Sequence, residues 1–92
     1  MSIINVITFA NIKKIIGEKQ FTMEAESVED LLDKLLELYG KELRDELFDK
    51  LGKIKSIYRI IVNGRNINLL DGFQTKLKDE DTLVLMPAIA GG

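Results

Sequence analysis

The sequence predicts an α+β domain, a small sheet of about five strands with one main helix packed on one face and extra short helices. Three observations carry that prediction. Val28, Leu31, Leu32, Leu35, Leu36 and Leu38 recur at helical spacing behind Ser27. Segments rich in β-branched residues, Ile3 to Phe9, Ile57 to Val62 and Thr82 to Met86, lie on both sides of that stripe. Asn63-Gly64 is a two-residue hairpin signal, because both central residues of a type I′ turn need positive φ.

In chain order, Ile3 to Phe9 is the first strand. Ile12, Ile15 and Ile16 fall on one helical face and Gly17 follows as a C-terminal cap, so a short helical turn comes before the second strand, Gln20 to Ala25. Ser27 is a good N-cap, with Glu29 and Asp30 suiting the helix dipole in the first turn, and Gly40 ends the main helix. The stripe from Leu31 to Leu38 is expected to be core. Leu43, Leu47, Phe48 and Leu51 suggest a second helical stretch, and Lys53 to Ser56 a polar connection. Ile57 to Val62 is a strand, Arg65 to Leu69 its short return, and Asp71-Gly72 another turn. The acidic run Asp79-Glu80-Asp81 reads as a turn before the last strand, Thr82 to Met86, which Pro87 is expected to stop. The division expected is a domain over residues 1–86 and a slim flexible tail over 87–92.

Composition removes whole classes of chemistry. The 92 residues suit one domain. The chain contains neither Cys nor His, so it offers no thiolate, no disulfide, no Cys-ligated zinc and no imidazole base. No calcium-loop spacing occurs, and no metal site is expected. Thirteen basic against fifteen acidic residues give a formal charge of −2, which argues against nucleic acid as the main partner. No apolar run approaches membrane-spanning length, and the opening Met1-Ser2-Ile3-Ile4-Asn5 lacks a basic segment before an apolar one, so no secretory leader is expected. A soluble cytoplasmic protein, with no membrane partner and no self-contained catalysis, is expected.

The chain end is the most informative feature. Pro87-Ala88-Ile89-Ala90-Gly91-Gly92 has small side chains and no charge except a terminal carboxylate. Six residues can reach about 20 Å, and the glycines, lacking Cβ, can pass through a narrow channel. A free α-carboxylate has a pKa near ~3.5 and is ionised at pH 7. It is a poor electrophile, but it can attack the α-phosphorus of ATP, and the acyl-adenylate so formed accepts a nucleophile readily. Two terminal glycines arise by chance in about one chain in 200. Their weight therefore comes from standing one short step beyond the last strand of a small α+β domain.

At this point the sequence resembles the ubiquitin-like sulfur carriers, and most closely the MoaD family, the small subunit of molybdopterin synthase. Phe9-Ala10-Asn11-Ile12-Lys13-Lys14-Ile15-Ile16-Gly17 resembles that family's opening segment. Ser27-Val28-Glu29-Asp30-Leu31-Leu32 resembles its helix start, and Ile60-Ile61-Val62-Asn63-Gly64 its central strand and turn. Leu77 to Gly92 resembles its closing strand and tail. The likeness runs from end to end, and its opening and closing segments are the specific ones. Two positions depart from the pattern. Glu80 stands where the family usually has Gly, which bears on the turn. Ala88 stands where it usually has a second Pro, which loosens the tail and keeps related subfamilies in play.

The resemblance implies a β-grasp fold with a mixed sheet, and a cycle. An activating enzyme adenylates the Gly92 carboxylate with ATP, and a persulfide sulfur donor converts it to a thiocarboxylate. Pro87, Ala88, Ile89, Ala90 and Gly91 then enter the large subunit of the synthase, where the sulfur passes to cyclic pyranopterin monophosphate. The resemblance implies that the small subunit binds no cofactor of its own and is not an enzyme alone. It also implies a monomer alone and a heterotetramer with the large subunit.

Alternation along the strands adds a partner face. Placing Arg59 outward puts Ile57 and Ile61 on its side and Tyr58, Ile60 and Val62 inward. Leu83 and Leu85 fit inward, and Val6 faces the helix. The outward set is then Ile7, Phe9, Ile61, Val84 and Met86, an apolar patch of interface character. Partner contacts in the MoaD family match Phe9 and Met86. Three alternatives stay open: a ThiS-like carrier for thiamine thiazole synthesis, a ubiquitin-like modifier joined through Gly92 to substrate lysines, and an interaction domain with an inert tail.

Overall fold

The structure is a computed structural model and describes residues 2–88; Met1, Ile89, Ala90, Gly91 and Gly92 lie outside it. Five strands form one mixed sheet in the order β2-β1-β5-β3-β4. They are β1 (Ile3–Thr8), β2 (Gln20–Glu24), β3 (Tyr58–Val62), β4 (Arg65–Asn66) and β5 (Thr82–Pro87). β1 and β5 pair parallel, and the other neighbours pair antiparallel. This is the β-grasp architecture that was expected. A parallel pair requires a crossover, and everything between β1 and β5 supplies it. Among the described residues no helix is long and apolar enough to cross a membrane.

α1 (Ala10–Ile16) follows β1 directly and is stopped by Gly17, whose φ of 88° lets its N–H reach the Lys13 carbonyl. α2 (Val28–Leu47) begins at Ser27, whose hydroxyl accepts the Asp30 N–H at 3.1 Å. The Asp30 carboxylate in turn accepts the Glu26 N–H at 3.0 Å, which, helped by Lys34, holds its pKa below the usual value. Gly40, at φ 65° and ψ −145°, breaks the helix where expected, and a second helical stretch resumes at once.

The core lies between the sheet and α2. Ile4, Val6, Tyr58, Ile60, Val62, Leu83 and Leu85 come from the sheet, and Val28, Leu31, Leu32, Leu35, Leu43 and Leu47 from α2. Tyr58 crosses this layer to donate its hydroxyl to Glu46 at 2.5 Å; burial, then that carboxylate, pushes its pKa up to about 12. Thr8, the one fully buried polar side chain of β1, donates to the Glu18 carbonyl at 2.6 Å.

Several expectations need correction. Leu38 is 72% exposed, because it sits at the edge of the stripe in the last turn before Gly40, where Tyr39 takes the position against the core. Leu51 is 81% exposed. Phe48 leaves the helix in extended conformation, and the Asp49 carboxylate then accepts the N–H groups of Leu51 and Lys53 at 2.8 and 3.0 Å. A tight loop closed by the Phe48–Ile54 bridge results, and Leu51 rides on its outside. The return strand after Asn63-Gly64 is two residues rather than five. The Asn66 side chain accepts the Asn68 N–H at 2.9 Å and caps a 3-10 turn, Ile67–Leu69, which buries Ile67. The hairpin turn itself has φ of 49° and 84° at Asn63 and Gly64, as a type I′ turn requires.

Pro87 does not stop the last strand. It is the final residue of β5 and lies opposite Tyr58. The Asn63 and Ala88 amides bond the Thr82 and Ile57 carbonyls at 2.9 and 2.7 Å, so the odd-numbered residues of β3 carry the ladder to β5. Pro87 therefore falls in a non-hydrogen-bonded pair, and its missing N–H points toward β1, whose last partner on β5 is Leu85. No ladder bond is lost. The described chain is tied to the sheet through Ala88, two residues beyond the expected domain boundary at 86.

Candidate functional site

The register of the sheet assembles the outward face. Ile7 lies opposite Val84, and Val84 opposite Ile61, so three apolar residues from three adjacent strands form one row. Two residues further along β1 and β5 come Phe9 and Met86, with Arg59 opposite Met86. All five expected outward residues are half-buried, whereas their strand neighbours Val6, Ile60, Leu83 and Leu85 are buried. A polar row, Thr22–Asn5–Thr82, borders the patch on the side away from the chain end. The apolar strip thus runs along the sheet toward the point where β5 finishes.

Phe9 occupies the N-cap of α1 with extended backbone, and Ala10 behind it takes a positive φ of 54°. Phe9 is half-buried at this change of direction. One neighbour escaped the sequence reading. The Lys19 ammonium stands 5.5 Å from the centroid of the Phe9 ring, a cation–π distance, so the patch has a positive rim at that corner. Ile57, placed on the Arg59 side by strand alternation, is 56% exposed.

The chain end completes the arrangement by position. Pro87 and Ala88 are half-buried next to Met86, and the Ala88 N–H bonds the Ile57 carbonyl at 2.7 Å. Ile89, Ala90, Gly91 and Gly92, on which the acyl chemistry was placed, lie outside the described residues. Lys13 and Lys14 lie exposed on α1.

The turn before β5 also governs this end, because it sets where β5 begins. Asp79 accepts the Ile3 N–H at 2.8 Å and Asp81 accepts the Lys78 N–H at 2.8 Å, while the Glu80 N–H reaches the Ile3 carbonyl at 2.9 Å. The two aspartates are structural acceptors. Glu80 sits between them with φ of 74°, a conformation suited to glycine.

Comparison with known proteins agrees with this geometry. The model of the ThiS family matches residues 6–92. A protein of Archaeoglobus fulgidus described as a sulfur carrier is 29% identical over 76 residues, covering 83% of this chain and 85% of that protein. Small archaeal modifier protein 3 of Haloferax volcanii is 31% identical over 87 residues, covering 91% and 92%. Among solved structures, small archaeal modifier protein 1 from Methanosarcina acetivorans superposes with a TM-score of 0.83 at 31% identity, covering 100% of this chain and 98% of that one.

Proposed function

Because the chain belongs to the ThiS family of ubiquitin-like sulfur carriers, we propose that it carries sulfur on Gly92 as the small subunit of a molybdopterin synthase. The Gly92 carboxylate attacks the α-phosphorus of ATP on an activating enzyme and pyrophosphate leaves. The outer sulfur of a persulfide on the donor then displaces AMP from the acyl carbon, and a thiol cleaves the resulting acyl disulfide, leaving the thiocarboxylate on Gly92 and a disulfide on the donor side. The large synthase subunit receives this end, and the sulfur passes to cyclic pyranopterin monophosphate. Partner enzymes hold the catalytic groups; this chain, with no Cys and no His, supplies the acyl group and the docking face.

One observation carries the reading: a family match that runs through residue 92, on a fold whose central strand, β5, finishes beside an apolar row. Ile7, Phe9, Ile61, Val84 and Met86 form the docking face in this account, and Pro87 to Gly91 the inserted segment. A second reading is favoured by the 31% identity to a small archaeal modifier protein: conjugation of Gly92 to lysines of other proteins.

Reconstitution separates the two. Thiocarboxylated protein mixed with a molybdopterin synthase large subunit and cyclic pyranopterin monophosphate is expected to yield the dithiolene product. Met86→Glu is expected to abolish that yield while leaving the fold intact. Transfer to a thiazole synthase alone, or lysine-linked adducts with no dithiolene, would refute the molybdopterin assignment.

A further inference from the structure

A second concave site lies on the opposite edge of the sheet from β2. β4 covers only Ile61 and Val62 of β3 before the chain turns away at Ile67, so the edge of β3 at Tyr58–Ile60 is left open. The odd-numbered residues of β3 bond to β5, so the Ile60 N–H and C=O face this open edge. The 53–56 segment closes the other side. The cleft between them has a volume of about 480 Å³, within the usual range for small-molecule sites, and is lined by Lys53, Lys55, Arg59, Asn66, Asn68 and Phe73 among others.

The charge of this cleft is one-sided. No aspartate or glutamate lines it. Residues 50–70 contain five basic residues and no acidic one, in a chain whose formal charge is −2. Among the described residues the ion pairs are Lys34–Asp30 and Lys41–Asp45, so none of the three lining cations is neutralised. The nearby carboxylates of Asp49 and Glu46 are already engaged, one with two backbone N–H groups and the other with Tyr58. Arg59 is pre-positioned. Its Nη1 donates to the Ser56 and Tyr58 carbonyls at 2.8 and 2.9 Å, which leaves the Nε and Nη2 donors for a ligand. The Asn66 carbonyl oxygen is held by Asn68 N–H, so its amide NH₂ remains as a donor. Phe73, half-buried, adds an aromatic wall.

We infer that this cleft binds a phosphate-bearing small molecule of nucleotide size, its phosphate held by Arg59, Lys53 and Lys55 and its planar part against Phe73. The size of the cleft, with its cations gathered on one short stretch of its wall, favours a small ligand over a long polyanion, which would need a charged stripe extending beyond the cleft. The site is separate from the Gly92 chemistry and does not depend on it.

The test is amide NMR titration of the full chain with AMP, ADP, inorganic phosphate, adenosine and a single-stranded oligoadenylate. AMP and ADP are expected to shift Tyr58–Ile60 and Asn66–Phe73 saturably, phosphate to do so more weakly, and adenosine hardly at all. Arg59→Gln should weaken AMP binding roughly tenfold or more, the scale of a hydrogen bond to a charged group. The pair Lys53→Gln/Lys55→Gln, at an exposed and a half-buried position, should weaken it severalfold even if Arg59→Gln disturbs the fold. Lys13→Gln, on α1, should change nothing. Absence of a saturable AMP response, equal responses to AMP and adenosine, or a response to the oligoadenylate alone would overturn the inference.

Discussion

Replacing Glu80 with glycine should stabilise this protein, although it removes a whole side chain. Glu80 holds φ at 74° in the turn that feeds β5. A residue with a Cβ costs about 1–2 kcal/mol in that region, whereas glycine adopts it freely. Against this, glycine loses about 0.4–1 kcal/mol more conformational entropy on folding. The side chain is exposed, and the turn's bonds run through the Glu80 backbone and the two flanking aspartates, so no contact is sacrificed. Removing one of three consecutive acidic charges adds a few tenths of a kcal/mol at low salt. The expected net gain is about 0.5–1 kcal/mol, or roughly 2–8 °C in Tm for a domain of this size. Urea denaturation of wild type, Glu80→Gly and Glu80→Ala would measure it. The alanine variant keeps the Cβ and should gain little beyond the charge effect. If Glu80→Gly is less stable than wild type, or if alanine gains as much as glycine, the backbone at this turn is not strained and the reasoning fails.

Three further outcomes follow from the same structure. Leu43→Ala, at a fully buried site, should cost about 2–5 kcal/mol, while Leu38→Ala, 72% exposed, should stay within about 0.5 kcal/mol; comparable losses in thermal denaturation would place Leu38 in the core after all. Ser27→Ala should cost about 1 kcal/mol by removing the acceptor for the Asp30 N–H, and Ser27→Asp should retain most of it. Tyr58, its pKa raised to about 12 from 10, keeps its proton in the folded state where the unfolded chain has lost it. Its contribution is therefore complete below pH 10 and is lost as pH rises through 12. The stability difference between wild type and Tyr58→Phe should shrink over that interval; a constant difference would show that the hydroxyl is not held by Glu46.

Where side-chain period and turn chemistry agree, the fold was legible in advance. Tyr58, Ile60 and Val62 alternate with Arg59 and Ile61 in a strand bounded by Asn63-Gly64, so both face and register follow from a few residues. The outward residues Ile7, Val84 and Ile61 follow from alternation alone, but their joining into one row rests on β5 pairing between β1 and β3, a tertiary fact that the strand order of the structure supplies. What escaped was decided by side chains folding back on the local backbone. Asp49 captures two N–H groups and ends the second helical stretch before Leu51, and Asn66 caps a 3-10 turn that cuts the return strand short. Periodicity carries no trace of such bonds. Pro87 was misjudged for another reason: whether a proline ends a strand depends on which neighbour its nitrogen faces, a tertiary fact. The cleft beside Arg59 is tertiary in the same sense, since its walls are far apart in the chain.

The central claim is that Gly92 is an acyl group charged by another protein. Intact-mass spectrometry of the full chain, incubated with ATP and a ThiS- or MoaD-type activating enzyme, tests it most directly. The account predicts first the addition of one adenylyl group, localised to the C-terminal peptide, and then exchange of one oxygen for sulfur once a persulfide donor is supplied, with neither change in a chain lacking Gly92. An unaltered mass under conditions that charge a known carrier, or an adduct mapped to a side chain, would contradict it.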